Sequence, residues 1–174
     1  MSDERLAELR RELAETRDEL SAALADADPA LLTAPGLVGE WSARELMAHL
    51  AHWNDWASTC LTAAVEGGLE GLVTDEWDVD AQNANVAREA ASLPMSAVRD
   101  REAESHERLA SLLAGLDPAV LAMPTPWGGT VETTVVENGA GHYAEHARHV
   151  RDWFAGADAD DADDEPPALD PADR

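Results

Sequence analysis

Leucine recurs at Leu6, Leu9, Leu13, Leu20 and Leu24. The steps of three, four and seven stack these side chains on one face of a helix that turns every 3.6 residues. Similar periods run through most of the chain, and the period-two alternation of a strand is almost absent. A chain with this pattern buries its apolar surface by packing helix on helix, which predicts an all-α fold. In the closing helix the inward stripe changes chemistry. It reads Val135, Gly139, His142, His146, His149 or Val150, and Trp153, with histidine where a plain bundle carries leucine.

The first helix is expected to begin after Ser2, run to about Asp26 and stop at Asp28-Pro29. The second starts at Ser42, where Ser42-Ala43-Arg44-Glu45 fits a capping box, and ends at Gly67-Gly68. Its buried face holds Leu46, Leu50, Trp53, Ala57 and Leu61, and His49 falls on that same face. A glycine-bearing loop over 67–78 leads to a short helix from Asp80 to Ala91. The next helix takes Pro94 as an early position and runs to about Leu116, showing Val98, Ser105, Leu109, Leu112 and Leu116. A second capping-box pattern, Thr134-Val135-Val136-Glu137, opens the last helix. Four main amphipathic helices with inward-facing ligands on two of them describe a four-helix bundle with a metal site in its core. Residues 157–174 carry eight acids, one arginine and three prolines, and read as a disordered acidic tail behind one domain over 1–156.

His142 and His146 are four residues apart, so their imidazoles point the same way and reach one ion. His49, from another helix, supplies a third. Three protein ligands with a fourth position open is the arrangement of a catalytic zinc-type site. Three imidazoles in one small core are also costly without a partner, and a divalent cation gives each lone pair an acceptor. Such nitrogen-rich sites suit zinc, nickel, copper or iron. The other histidines have plainer readings. His52 and His149 are supporting or surface residues, although His52 stands where it can exchange roles with His49, and His106 is placed near solvent. Residues 142–146 also match H-x-x-E-H, which makes Glu145 a candidate proton carrier, but a zinc-protease reading lacks a further ligand.

Among the six tryptophans, Trp53 and Trp77 are placed to line an apolar pocket above the metal, and the rest read as packing and helix-end anchors. Cys60, the single cysteine, lies on an apolar face and reads as packing. Nothing indicates an oxidising compartment. The start of the chain is charged rather than signal-like, and no apolar run approaches a membrane span, so a cytoplasmic protein is expected. The net charge is −24, with twelve arginines as the only cations. Discounting 157–174 still leaves it near −17. That field disfavours nucleic acid and anionic membranes as partners and leaves a small molecule as the expected one. Arg44, Arg88, Arg148 and Arg151 are the arginines nearest in sequence to the candidate site.

EWSARELMAHLAHW (40–53) and the HxxxH helix HYAEHARHVRDW (142–153) resemble the DinB/YfiT-like superfamily. WDVDAQNANVAREAASLPMSAVRDREAESHERLASLLAGL (77–116) resembles the loop-and-helix segment of its thiol-transferase branch, which includes mycothiol-dependent maleylpyruvate isomerases. The resemblance spans about 5–155. It implies a four-helix bundle of up-down-down-up topology, frequent homodimers, and a divalent metal, zinc or nickel, held by His49, His142 and His146. It further implies that the open position binds a low-molecular-weight thiol such as mycothiol as the thiolate. The expected function is metal-dependent activation of that thiol, or of water, for attack on an electrophilic small molecule. The alternatives are a non-catalytic protein that binds or sequesters a small molecule in the same pocket, and a bundle whose metal is structural.

Overall fold

A computed structural model describes residues 2–25, 27, 30–73 and 77–156. The expected stop at Asp28-Pro29, residues 74–76 of the expected loop and the expected acidic tail over 157–174 lie outside the described residues. Helix α1, Asp3–Ala25, buries the five leucines of its stripe. Helix α2, Ala43–Glu66, is set in phase by Ser42. The Ser42 hydroxyl accepts from the Arg44 amide at 3.2 Å, and the Glu45 carboxylate accepts from the Ser42 amide at 2.9 Å. Gly67 closes the helix in the left-handed conformation, φ 76°, which glycine adopts without steric cost. Helix α3, Val79–Ala90, is capped by Asp78, which accepts from the Ala81 amide at 2.9 Å. Helix α4, Met95–Ala114, has Pro94 as its cap rather than within its first turn, and stops short of Leu116.

The closing segment departs from expectation. It is two helices, α5 at Val131–Asn138 and α6 at Ala140–Gly156. The first is capped by Thr130, which accepts from the Thr133 amide at 3.2 Å, and not by Thr134. The turn at Gly128-Gly129, with φ 100° and 72°, delivers Thr130 first. Thr134 then lies inside α5, where its hydroxyl accepts from the Trp127 indole at 3.1 Å. The break falls at Gly139. A Cβ there would stand 2.7 Å from the Val135 carbonyl oxygen and 3.3 Å from both Leu13 and Leu109. Gly139→Ala is therefore expected to cost about 1–3 kcal/mol, as over-packing does, and to lower the urea midpoint. An unchanged midpoint would show that the junction has room.

Helix α2 packs along α4, and α1 along α6, while α3 and α5 lie against α2. Among the described residues there is no strand, only isolated bridges between Val38 and Trp41 and between Pro124 and Thr130. No described helix is long and apolar enough to cross a membrane.

The inner line of α4 is Val98, Glu102, Ser105, Leu109 and Leu113, not the expected line ending in Leu112 and Leu116. Steps of four, three, four and four pass through Glu102, a charged position that pattern reading skips. Glu102 is 2% exposed. It accepts from Arg17 Nε at 2.8 Å and Nη2 at 2.9 Å, and from the Tyr143 hydroxyl. Asn54 Nδ2 donates to the same hydroxyl at 2.6 Å. This network ties α1, α2, α4 and α6 together at one buried point. His106, expected near solvent, is half-buried, with its ring 5.9 Å from that of Tyr143. Burial holds its pKa below the ordinary value.

Candidate metal centre

The capping box sets the rotation of α2 and places His49 inward. The break at Gly139 lets α6 restart and presents His142 and His146 on one face. One ring nitrogen from each of His49, His142 and His146 lies within 4.8 Å of the other two. His49 and His146 are buried and His142 half-buried. The Nε2 atoms of His49 and His142 are 2.9 Å apart.

The proton positions follow from their neighbours. Asn83 on α3 places Oδ1 3.0 Å from Trp53 Nε1 and 3.1 Å from His49 Nδ1. An indole nitrogen only donates, so the facing atom is the amide oxygen, and His49 Nδ1 carries the proton. The lone pair of His49 Nε2 is thereby turned inward. His142 Nδ1 is buried without a well-formed hydrogen bond and has the Asn138 carbonyl on its side. An ion on Nε2 requires the proton on Nδ1, where that carbonyl can accept it. His146 Nδ1 lies 3.2 Å from His149 Nδ1, whose Nε2 lies 3.2 Å from the Arg148 guanidinium.

Burial is the largest cause that lowers the pKa of all three histidines, to about 3 for His49, 4 for His142 and 3 for His146. At neutral pH all three are uncharged and offer lone pairs, which is the donor state a divalent ion requires. Three converging neutral imidazoles, one orphaned Nδ1 and fixed outer partners fit such an ion.

Arg148 works against it. A guanidinium only donates, so His149 accepts at Nε2 and sends its own proton toward His146. An ion on His146 Nε2 requires the reverse. Arg148 is exposed and also pairs with Asp152 at 3.3 Å, so it has somewhere to go. Arg148→Ala is expected to tighten zinc binding several-fold in a competition titration with a chelator. Weaker binding would contradict this proton assignment.

The remaining sequence candidates fall outside the cluster. His52 Nε2 lies 3.2 Å from Gln82 Oε1, so it does not exchange roles with His49. Glu145 is exposed. Arg44 pairs with Glu45 at 3.1 Å, Arg88 with Asn85 at 2.6 Å and Arg151 with Glu19 at 3.6 Å. Cys60 is buried and its thiol pushed up to about 12 by burial, consistent with packing rather than nucleophilic chemistry. Trp53 and Trp77 line a common cavity, but its lining includes none of the three histidines, and its link to the cluster is Trp53, whose ring lies 6.2 Å from that of His49. Asn83 was not singled out from the sequence. No local signal marks it, because its partners lie on another helix.

These features define an all-helical protein with a buried three-histidine cluster that could hold a metal ion. The chain belongs to the DinB superfamily, whose sequence model matches residues 12–152. Three solved structures share its fold at low identity. An uncharacterised Escherichia coli UTI89 protein aligns with TM-score 0.72 and 16% identity, covering 87% of this chain and 94% of that one. A Clostridium difficile 630 protein, also uncharacterised, gives 0.65 and 16%, covering 89% and 98%. A Streptococcus pneumoniae protein gives 0.64 and 14%, covering 86% and 90%. No curated protein matches the chain.

Proposed function

We propose that this chain is a metal-dependent enzyme that activates a low-molecular-weight thiol, or water, for attack on an electrophilic small molecule. The observation that carries the reading is the convergence of three uncharged ring nitrogens, from two buried histidines and one half-buried one, within 4.8 Å and beside a tryptophan-lined cavity. His49, His142 and His146 would hold a divalent ion, zinc or nickel. When bound, that ion supplies Lewis acidity that lowers the pKa of a thiol or water brought to it. The chain's own residues do the rest. Asn83 holds the proton on His49 Nδ1 and keeps Nε2 free. His149 stands ready to take up the same role for His146. Trp41 and Trp53 pack against His49, with ring centroids 5.0 and 6.2 Å from its own, and this burial limits water and strengthens the electrostatics of the site. The proposal extends to one domain over 1–156, a four-helix bundle of up-down-down-up topology, a homodimer and a cytoplasmic setting. A thiol such as mycothiol is the proposed co-substrate.

Metal-loaded protein is expected to accelerate conjugation of mycothiol, or of water, with a reactive aryl halide or epoxide, and the His142→Ala, His146→Ala double variant to lose that rate. A second reading, a non-catalytic protein that binds or sequesters a small molecule in the same cavity, is favoured by one observation. Glu145, the proton carrier weighed in the sequence, faces solvent. Ligand binding without turnover by any thiol or water would establish that reading instead.

A further inference from the structure

We propose that the tryptophan-lined cavity binds an organic ammonium ion, a quaternary or protonated amine carried on a small molecule. The inference deepens the proposed function by naming a ligand class. It rests on that reading only in taking the bound cation to be the substrate.

The cavity measures about 340 Å³, the size of a small-molecule site. Trp53, Trp56, Trp77 and Trp127 line it, with Leu72 and Val73. Core packing does not account for them all, since Trp77 and Trp127 remain 42% and 41% exposed. Two of the four polar edges are committed elsewhere. Trp53 donates to Asn83 at 3.0 Å and Trp127 to Thr134 at 3.1 Å. Trp53 and Trp127 are thereby left to offer a ligand ring surface. The ring centroids of Trp56 and Trp77 are 4.4 Å apart, of Trp56 and Trp127 5.7 Å, and of Trp53 and Trp77 6.3 Å. The planes are inclined at 41°, 48° and 66°, so the four indoles pack edge by edge into one continuous, faceted wall of the cavity.

Charge selects the sign of that head group. The face of an indole carries the negative end of the ring quadrupole and attracts cations, with tryptophan the strongest of the aromatic residues. Glu137 is the only ionisable residue among the described residues lining the cavity. No described arginine lines it, and the field of a chain at −24 repels anions. An acidic ligand therefore meets no cationic side chain among the described lining residues, while a cation meets both the indole faces and a carboxylate.

The test titrates full-length protein, metal-free and zinc-loaded, with choline and with its neutral isostere 3,3-dimethylbutan-1-ol, read by tryptophan fluorescence and calorimetry. Choline is expected to bind at least about tenfold more tightly than the isostere. Trp77→Leu is expected to lose about tenfold for choline and little for the isostere. Trp77 is half-exposed, so this variant retains its fold. Glu137→Gln, a surface change, is expected to weaken choline several-fold. Equal binding of the two ligands, or binding of neither, would overturn the proposal. Choline selectivity in protein that takes up no zinc would support the cation site and contradict the metal reading alone. Zinc uptake without choline selectivity would overturn the cation site alone.

Discussion

Metal-free protein is expected to lose stability steeply as pH falls from about 6.5 toward 4. His49, His142 and His146 have folded pKa values of about 3, 4 and 3, against an ordinary histidine value of 6.5, with burial the main cause. The sign follows from proton counting. Between pH 6.5 and 4 the unfolded chain binds protons at these positions that the folded chain refuses. Stability therefore rises with pH, is fully present above the unfolded value, and is lost as pH falls toward the folded values. Each refused proton is worth about 1.4 kcal/mol per pH unit, so three give a ceiling of roughly 4 kcal/mol per pH unit. Against a total stability of roughly 5–15 kcal/mol, that ceiling corresponds to about one to four pH units. Urea denaturation at successive pH values measures the slope. The His142→Leu, His146→Leu double variant removes two of the three groups and should flatten it markedly. An equal slope in the variant would place the acid sensitivity elsewhere, in the carboxylates. Zinc binds only the neutral imidazoles and should stabilise the fold near pH 7, with that gain lost in acid as protons compete for the nitrogens.

Glu102→Ala is expected to be the most damaging single substitution outside the histidines. It would leave the Arg17 guanidinium and the fully buried Tyr143 hydroxyl facing an empty acceptor site. Removing one partner of a buried ion pair costs about 3–5 kcal/mol. The Arg17 side chain is 26% exposed, which places this case near 3 kcal/mol, since water can reach the freed cation. For a domain of this size that corresponds to a fall in Tm of roughly 6–12 °C. Glu102→Gln keeps an acceptor for the hydroxyl and should fall in between. Tyr143 lies directly after His142 in α6, so the loss should also weaken zinc binding. A fall in Tm of only about 1 °C would show that the network is replaced by water at no cost.

Helix stripes and caps were legible because their rules are local. The leucine line of α1, the Ser42 capping box and the i, i+4 pair at His142 and His146 are all written in neighbouring residues. Pairing His49 with that couple needed one further step, that inward faces of a small helical protein meet. What escaped the sequence is non-local. Glu102 looks like a surface residue until Arg17, 85 positions away, and Tyr143, 41 positions away, are brought to it. Asn83 acquires its role only through His49, 34 positions away. The break at Gly139 is set by Leu13 and Leu109, which its missing side chain allows to approach. His106 was placed near solvent because nothing adjacent to it announces Tyr143.

The central claim is that the three-histidine cluster holds a metal ion, and metal content tests it most directly. Protein purified without added metal, and again after exposure to zinc or nickel, is analysed by elemental mass spectrometry alongside the His142→Ala, His146→Ala double variant. About one divalent ion per native chain, absent from the variant, is the predicted result. A native chain that holds no ion even after exposure, or a variant that holds as much as the native chain, would contradict it.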